Sequence, residues 1–522
     1  MSTSKGRAGP GPSASARAAS RAAGPWVLVA SVLGSSMAFI DGSVVSVALP
    51  VLQHELGATV SSAQWVVEAY QLFLSALVLV GGALADRFGR RRIFALGIVV
   101  FAAASLGCGV APGIRWLIAA RAVQGIGAAL LVPSSLAMLG AAYPEKERGK
   151  AIGAWSAWTS IAAAIGPAVG GWLVQAISWR AVFILNLPIA AFVLGIAARR
   201  VRETRGPAKR ELDLLGAVAV TSGLALLVFG LIETPVAGIR SPRAWGSMVT
   251  GAMALAAFLF VERRAPAPMV PLGLFRRRTF AAVNLLTLLL YGALAAMFFF
   301  LPFVLIQARG YSPAASGASV LPLVIVVAAL SRRAGAIADR IGPRLPLTIG
   351  PIVVGAGFLL VALLPPSASY AASLLPGLLV VGLGIGIAVA PLTTAVLNSV
   401  DRDDQGIASG INNAIARLAA LLAVAGFGIV AIAAFDRELS RRLETARVAP
   451  EVRRQVEGER TRLGALEPPR NASPADARAV REGVAHGLES AFRDVNLLCA
   501  GLAFLGGACG AIGVRGKSRR SG

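Results

Sequence analysis

Three charged side chains lie inside apolar runs of this 522-residue chain. Asp41 is the one charge in Trp26 to Pro50, roughly 22 Å along a helix that starts at Trp26. That depth is well inside a hydrocarbon core about 30 Å thick. Glu68 belongs to Gln64, Glu68, Gln71 and Ser75, which fall on one helical face by their spacing. Arg121 lies about 9 Å below the start of its own run at Arg115. All three map to one depth. An ionised group in hydrocarbon costs on the order of 2.5–3.5 kcal/mol on insertion scales, so such residues face protein or water and mark function. Burial favours the neutral acid and a neighbouring guanidinium favours the carboxylate. An acid held between these opposed effects suits proton binding and release near neutral pH. Asp41 is therefore read as the main proton carrier and Arg121 as the group that tunes it. Glu68 is a second acid or the partner of a cationic substrate. The bland readings are an Asp41–Arg121 packing pair and a Glu68 hydrated at the interface beside Trp65.

These residues need membrane helices to hold them, and the composition supplies them. Hydrophobic residues make up 56% and charged ones 15%, against roughly a quarter charged in soluble domains, so the class is an all-α polytopic membrane protein. Fourteen spans are expected: 26–49, 62–84, 93–112, 115–139, 150–174, 181–198, 214–232, 245–261, 281–305, 315–335, 345–364, 371–397, 406–433 and 493–514. The net charge of +24 sits mainly in alternate short loops, which argues against nucleic acid. Arg87, Arg90, Arg91 and Arg92 fill one such loop, Arg199 to Arg210 the 6–7 loop, and Arg276 to Arg278 the 8–9 loop. The positive-inside rule then puts both termini in the cytoplasm, as an even number of spans requires. Arginine outnumbers lysine in an Ala- and Gly-rich chain, which suits a bacterial cytoplasmic membrane. Residues 1–25 read as a disordered cytoplasmic tail without a cleavable leader, and 515–522 as a basic cytoplasmic tail. Residues 436–490, with eleven arginines against ten acids, form an extracytoplasmic insert, helical or disordered. Cys108, Cys499 and Cys509 read as buried hydrophobes, and His54 and His486 stand in polar stretches, so no metal set or histidine relay is expected.

One motif occurs twice. Gly82-Ala-Leu-Ala-Asp86-Arg87-Phe-Gly89-Arg90-Arg91 follows span 2, and Gly335-Ala-Ile-Ala-Asp339-Arg340-Ile-Gly342-Pro-Arg344 follows span 10. The recurrence divides the chain into pseudo-symmetric six-helix bundles, 26–198 and 281–514, joined by a linker, 199–280, with two extra spans. Gly82, Asp86, Arg87, Gly89 and Arg90, with Asp339, Arg340 and Arg344, can form a cytoplasmic latch between helices; its bland alternative is charge anchoring.

The chain resembles the fourteen-span drug:proton antiporter branch of the major facilitator superfamily. The resemblance rests on that repeat, on Ile40-Asp41-Gly-Ser-Val-Val-Ser-Val-Ala-Leu-Pro50, on Arg121-Ala-Val-Gln124-Gly125-Ile-Gly127, and on Gly166-Pro167-Ala-Val-Gly170-Gly171 in span 5. It implies the major facilitator fold, a gate at the repeated loops and an export-linked kink at Gly166, Pro167, Gly170 and Gly171. The chain departs from the pattern at Ala162 and at Ala419, Ala420 and Ala423, where glycines are usual. Arg332 and Arg333 occupy a usually apolar stretch, and span 10 lacks the acid that some relatives carry, which weakens a case for dicationic substrates.

The resulting expectation is proton-driven efflux of amphipathic drugs or antibiotics by a monomer in the lipid bilayer, with no cofactor and no enzyme activity. Gln64, Gln71, Gln124, Asn284, Tyr291, Asn412 and Asn413 are the candidate cavity residues, and the Phe298, Phe299, Phe300 and Phe303 cluster reads mainly as packing. Export of a native lipid, siderophore or peptide, and a non-transporting membrane sensor, are the competing readings.

Overall fold

A backbone in hydrocarbon must satisfy its own hydrogen bonds, so each apolar run folds as a helix. The computed structural model describes residues 14–206, 214–238, 240–264, 271–365, 369–401 and 404–515. Fourteen of its helices are long and apolar enough to cross a membrane. They are Gly24–Glu55, Val60–Phe88, Arg90–Gly109, Ile114–Ala142, Glu147–Ala176, Ala181–Arg200, Leu215–Pro235, Pro242–Arg264, Arg278–Ala308, Pro313–Ala338, Arg344–Leu363, Leu375–Asn398, Gln405–Thr445 and Pro474–Gly513. Each coincides with one expected span, and they are numbered 1 to 14 in that order.

Two termini differ from the expectation or escape it. The first helix starts at Ala14, so residues 14–25 are helical where a disordered tail was expected; residues 1–13 lie outside the described residues. Of the basic tail, 516–522 also lie outside them. The insert is helical. Spans 13 and 14 run 41 and 40 residues, about 60 Å each, roughly twice the hydrocarbon thickness. Their ends beyond the bilayer make a helical pair closed by Phe435, Leu439, Leu443, Val480, Val484 and Leu488, all buried. A short helix, Pro450–Gly458, caps it.

The two halves repeat one packing scheme. In the first, span 4 packs on spans 2 and 3, and span 1 on span 5; in the second, span 12 packs on spans 10 and 11, and span 9 on span 13. Spans 7 and 8 pair with each other, and span 7 rests on spans 2 and 13. Between the halves, span 5 meets span 10 and span 2 meets span 13. These two contacts are counterparts under the repeat, as a pseudo-twofold axis requires.

Both contacts close at the end that carries the 436–490 pair. A Cβ at Gly171 would lie 2.2 Å from the Pro313 carbonyl oxygen, and one at Gly317 2.0 Å from that of Pro167. Gln64 Nε2 donates to the Val424 carbonyl at 2.9 Å, and Gln307 Nε2 to Gln53 Oε1 at 3.2 Å.

A side chain at Gly317 must therefore push spans 5 and 10 apart, at an overpacking cost of about 1–3 kcal/mol. Val60 is buried where span 2 meets Phe300, Phe303 and Ala431 of the second half. Gly317→Val should leave helix content unchanged and make a cysteine placed at Val60 react several-fold faster with a water-soluble maleimide. An unchanged rate would show that this contact does not hold the end shut.

Candidate functional site

Asp41 sits midway along span 1, 1% exposed, and its two oxygens have different partners. Oδ2 accepts a hydrogen bond from Arg121 Nη1 of span 4. Oδ1 accepts from Gln124 Nε2 at 2.9 Å and from Asn186 Nδ2 of span 6 at 3.2 Å. Arg121 and Gln124 share one face of span 4 because they are three residues apart. Arg121 Nη1 also donates to Gln124 Oε1 at 2.7 Å, and its Nε to the Val66 carbonyl of span 2 at 2.9 Å. The guanidinium lies over the Tyr70 ring, 4.2 Å from its centroid, and the Tyr70 hydroxyl donates to the Ala38 carbonyl at 2.9 Å. Ser105 of span 3 accepts from Gln124 at 2.7 Å and from Asn186 at 3.0 Å. One buried carboxylate thus ties together spans 1, 4 and 6, Gln124 and Asn186 extend the network to span 3, and the guanidinium adds span 2.

The geometry is that of an ionised acid facing donors only. A proton on Asp41 would turn one oxygen into a donor opposite N–H groups, so at least one partner must let go or turn. Helix contacts at this point are tight. A Cβ at Gly125 would lie 2.4 Å from the Tyr70 carbonyl oxygen, and one at Gly127 2.6 Å from the Phe101 nitrogen. A change at the acid is therefore transmitted to helix positions and is not absorbed by slack.

Asp41 and Arg121 come together as expected, and Glu68 does not join them. Val66 and Tyr70 touch Arg121, whereas Glu68 lies between them in sequence and points to the opposite face of span 2. It is 1% exposed, and neither carboxylate oxygen has a partner among the described residues. The interfacial reading fails: Trp65 packs against Phe229 of span 7, and Glu68 is enclosed where spans 2, 7 and 13 meet. Farther along the same face, Gln71 Oε1 and Ser75 Oγ are also buried without a partner.

The candidate cavity residues divide. Gln124 belongs to the Asp41 network, and Gln64 is used in closing span 2 on span 13. Asn412 of span 13 donates to Asn284 Oδ1 at 3.0 Å and Thr287 Oγ1 at 2.8 Å, which binds span 13 to span 9. Asn413 is exposed and donates to the Ser409 carbonyl, and Tyr291 is half-buried against the apolar core. Phe299 meets Phe300 edge-on and Phe303 at a tilt, so that cluster is packing.

At the repeated loops, Asp86 Oδ1 accepts from Arg90 Nη2 at 2.8 Å, and the Asp86 carbonyl from Gly206 N at 3.1 Å. Gly89 (φ +114°) and Gly342 (φ +87°) end spans 2 and 10 alike, in conformations that favour glycine. Gly82 is not the close-approach residue: a Cβ there meets only Pro133 at 3.6 Å, whereas one at Gly81 would lie 2.0 Å from the Ala129 carbonyl oxygen. Arg87 lies over the Phe88 ring, and Arg340 and Arg344 are exposed, with Arg344 Nε donating to the Ala511 carbonyl. The side chain of Asp339 lies outside the described residues.

Sequence reasoning missed four residues. Asn186, an amide inside an apolar run, carried a readable signal. Ser105 and Tyr70 carried none. Glu203, after span 6, caps the start of span 3 by accepting from the Arg91 and Arg92 backbone N–H groups at 3.0 and 3.1 Å, where a carboxylate complements the helix dipole. In span 5, a Cβ at Gly166 would lie 2.0 Å from Ser43 Oγ and one at Gly170 2.7 Å from Val44, so those glycines serve span 1 while Pro167 and Gly171 serve span 10.

The sequence matches the Major Facilitator Superfamily profile over residues 31–424. It is 34% identical over 464 residues to Multidrug resistance protein Stp of Mycobacterium tuberculosis, covering 87% of this chain and 86% of that protein. It is 30% identical over 410 residues to the Tetracenomycin C resistance and export protein of Streptomyces glaucescens, covering 78% and 76%. In fold it resembles a bacterial homologue of the human lysosomal transporter Spinster in an inward-facing, occupied conformation, with a TM-score of 0.64, 18% identity, and 92% and 96% of the two chains covered. Fourteen apolar helices in this arrangement make the protein multi-pass. The chain belongs to the Major Facilitator Superfamily.

Proposed function

We propose that this protein exports amphipathic drugs or antibiotics in exchange for protons, by alternating access, and that Asp41 is the proton site. The observation that carries the reading is the Asp41 network: a membrane-embedded carboxylate whose protonation must disturb hydrogen bonds that join three helices. Protonation and substrate binding can then bias one rocking equilibrium, which is the thermodynamic requirement for exchange. The relatives named for multidrug resistance and for tetracenomycin C resistance and export support the direction and the substrate class. Glu68, buried with no partner, is the second acid: it takes a proton or the cationic group of a substrate. The proton gradient drives the cycle without a cofactor, and one chain is the working unit. The protein lies in the bacterial cytoplasmic membrane with both termini inside, and the 436–490 pair outside. On that orientation the structure is closed outside, and the doubled Asp86/Arg90 loop is the gate of the inner side.

In proteoliposomes with an imposed proton gradient, the protein should expel the neutral dye N-phenyl-1-naphthylamine, and Asp41→Asn should reduce that flux to the rate without a gradient. Undiminished gradient-driven flux in Asp41→Asn would remove the acid from the mechanism. Absence of flux with any ligand would favour a sensor.

Removing one member of a buried ion pair costs about 3–5 kcal/mol, because the other charge is left alone. Arg121→Gln and Asp41→Asn should each lower thermal stability, and the double variant should lose clearly less than the sum. Arg121→Gln should also move the pH midpoint of transport. Additive losses with an unmoved midpoint would show that the two residues act independently.

A further inference from the structure

The second half holds a membrane-embedded charge that the reading above does not use. Arg417 lies on span 13, twelve residues into Gln405–Thr445, and spans 9 to 13 carry no acid in 281–335, 345–397 or 406–433. Among the described residues its guanidinium makes no hydrogen bond and no ion pair; it lies over the Phe39 ring of span 1, 5.8 Å from the centroid. The acids of the first half are not its partners. Asp41 is taken by Arg121, Gln124 and Asn186, and neither oxygen of Glu68 is bonded to anything.

The surroundings suit a planar anion. Phe39 is half-buried and meets Trp155 of span 5 edge-on at 6.2 Å; the Trp155 indole N–H, 8% exposed as a residue, finds no acceptor. Two donor groups flanking one aromatic ring thus lack acceptors, one of them a permanent cation. Gln64 pairs with Val424, so Glu68 is about 6 Å and Arg417 about 10 Å from that contact along antiparallel helices. Arg417 therefore lies at mid-membrane depth, between the halves, away from the closed end. A guanidinium presents a rigid fork that matches a carboxylate or sulfonate and also stacks on aromatic faces. An unpaired guanidinium in such a place is costly unless a ligand completes it.

We infer that Arg417 anchors the anionic group of an amphipathic substrate, whose planar apolar part lies against Phe39. The substrate class is thereby narrowed from amphipathic compounds in general to those with a carboxylate, sulfonate or phenolate at the edge of an aromatic system. The inference rests on the exporter reading for what the ligand is doing there. Its test reads binding without a gradient, so a protein that binds but does not pump would sink the exporter reading and leave this assignment standing.

Two probes with one scaffold decide it: 1-anilinonaphthalene-8-sulfonate and N-phenyl-1-naphthylamine, which lacks the sulfonate. Binding to the full chain in phosphatidylcholine nanodiscs is read by tryptophan-to-probe energy transfer, with empty nanodiscs subtracted. The wild type should hold the sulfonate about tenfold more tightly than the neutral probe, the scale of one charge-assisted contact. Arg417→Gln should abolish that preference and leave the neutral probe unchanged, which also shows that the variant is folded. Arg417→Lys, which keeps the charge without the fork, should fall between. Equal binding of the two probes by the wild type, equal weakening of both in Arg417→Gln, or a preference that survives Arg417→Gln would each overturn the assignment. So would loss of neutral-probe pumping in Arg417→Gln with both affinities intact, since that marks a conformational role.

Discussion

A charge in hydrocarbon has no water to fall back on, and the Asp41–Arg121 pair is organised by that constraint. Leaving either charge without partners at this depth is costly, and each is completed by groups from neighbouring spans: Gln124, Asn186, the Val66 carbonyl and the Tyr70 ring. The glycines of span 4 exist for the same end. Gly125 and Gly127 bring spans 2 and 3 close enough for short side chains to reach one another. The first half is best seen as a shell built around one ion pair, whose packing is as tight as its electrostatics demand.

The second half is built differently on the same plan. Its central polar contact is neutral, Asn412 with Asn284 and Thr287, and holds span 13 to span 9 in any protonation state. The repeat therefore preserves helix positions and splits chemistry: one half has a titratable centre, and the other has fixed amides and a permanent cation. The seam between them follows the same economy. Span 5 offers Gly166 and Gly170 to its own half and Pro167 and Gly171 to the other, so a single helix joins the ion-pair shell to the interface between the halves.

Much of this was legible in the sequence, for definite reasons. Depth follows from counting along a helix, so Asp41 and Arg121 could be matched before any contact was known. The spacing of Gln64, Glu68, Gln71 and Ser75 likewise gave a face, and that face does look toward the other half. What counting does not give is which face of span 2 looks where: Val66 and Tyr70, not Glu68, meet the guanidinium. Adjacent glycines are equally opaque, since Gly81 and Gly82 differ only in what they touch. Glu203 lies more than a hundred residues from the helix it caps, and no local pattern marks it. The polar composition of the insert suits a helical and a disordered segment equally, and so hides two helices that simply continue from the membrane.

Those two helices have a mechanical consequence. They are stiff rods roughly twice as long as the bilayer is thick, rooted in the second half. A tilt of that half by about ten degrees would sweep the far ends sideways by about 5 Å over a projecting length near 30 Å. The loop they carry is fastened to the first half, through Gln53 Nε2 to the Arg462 carbonyl at 2.9 Å and His54 to Glu467 at 3.0 Å. A tilt about the membrane centre would thus reach the cap magnified. The cap is a pointer whose needle turns with one half and whose scale is fixed to the other.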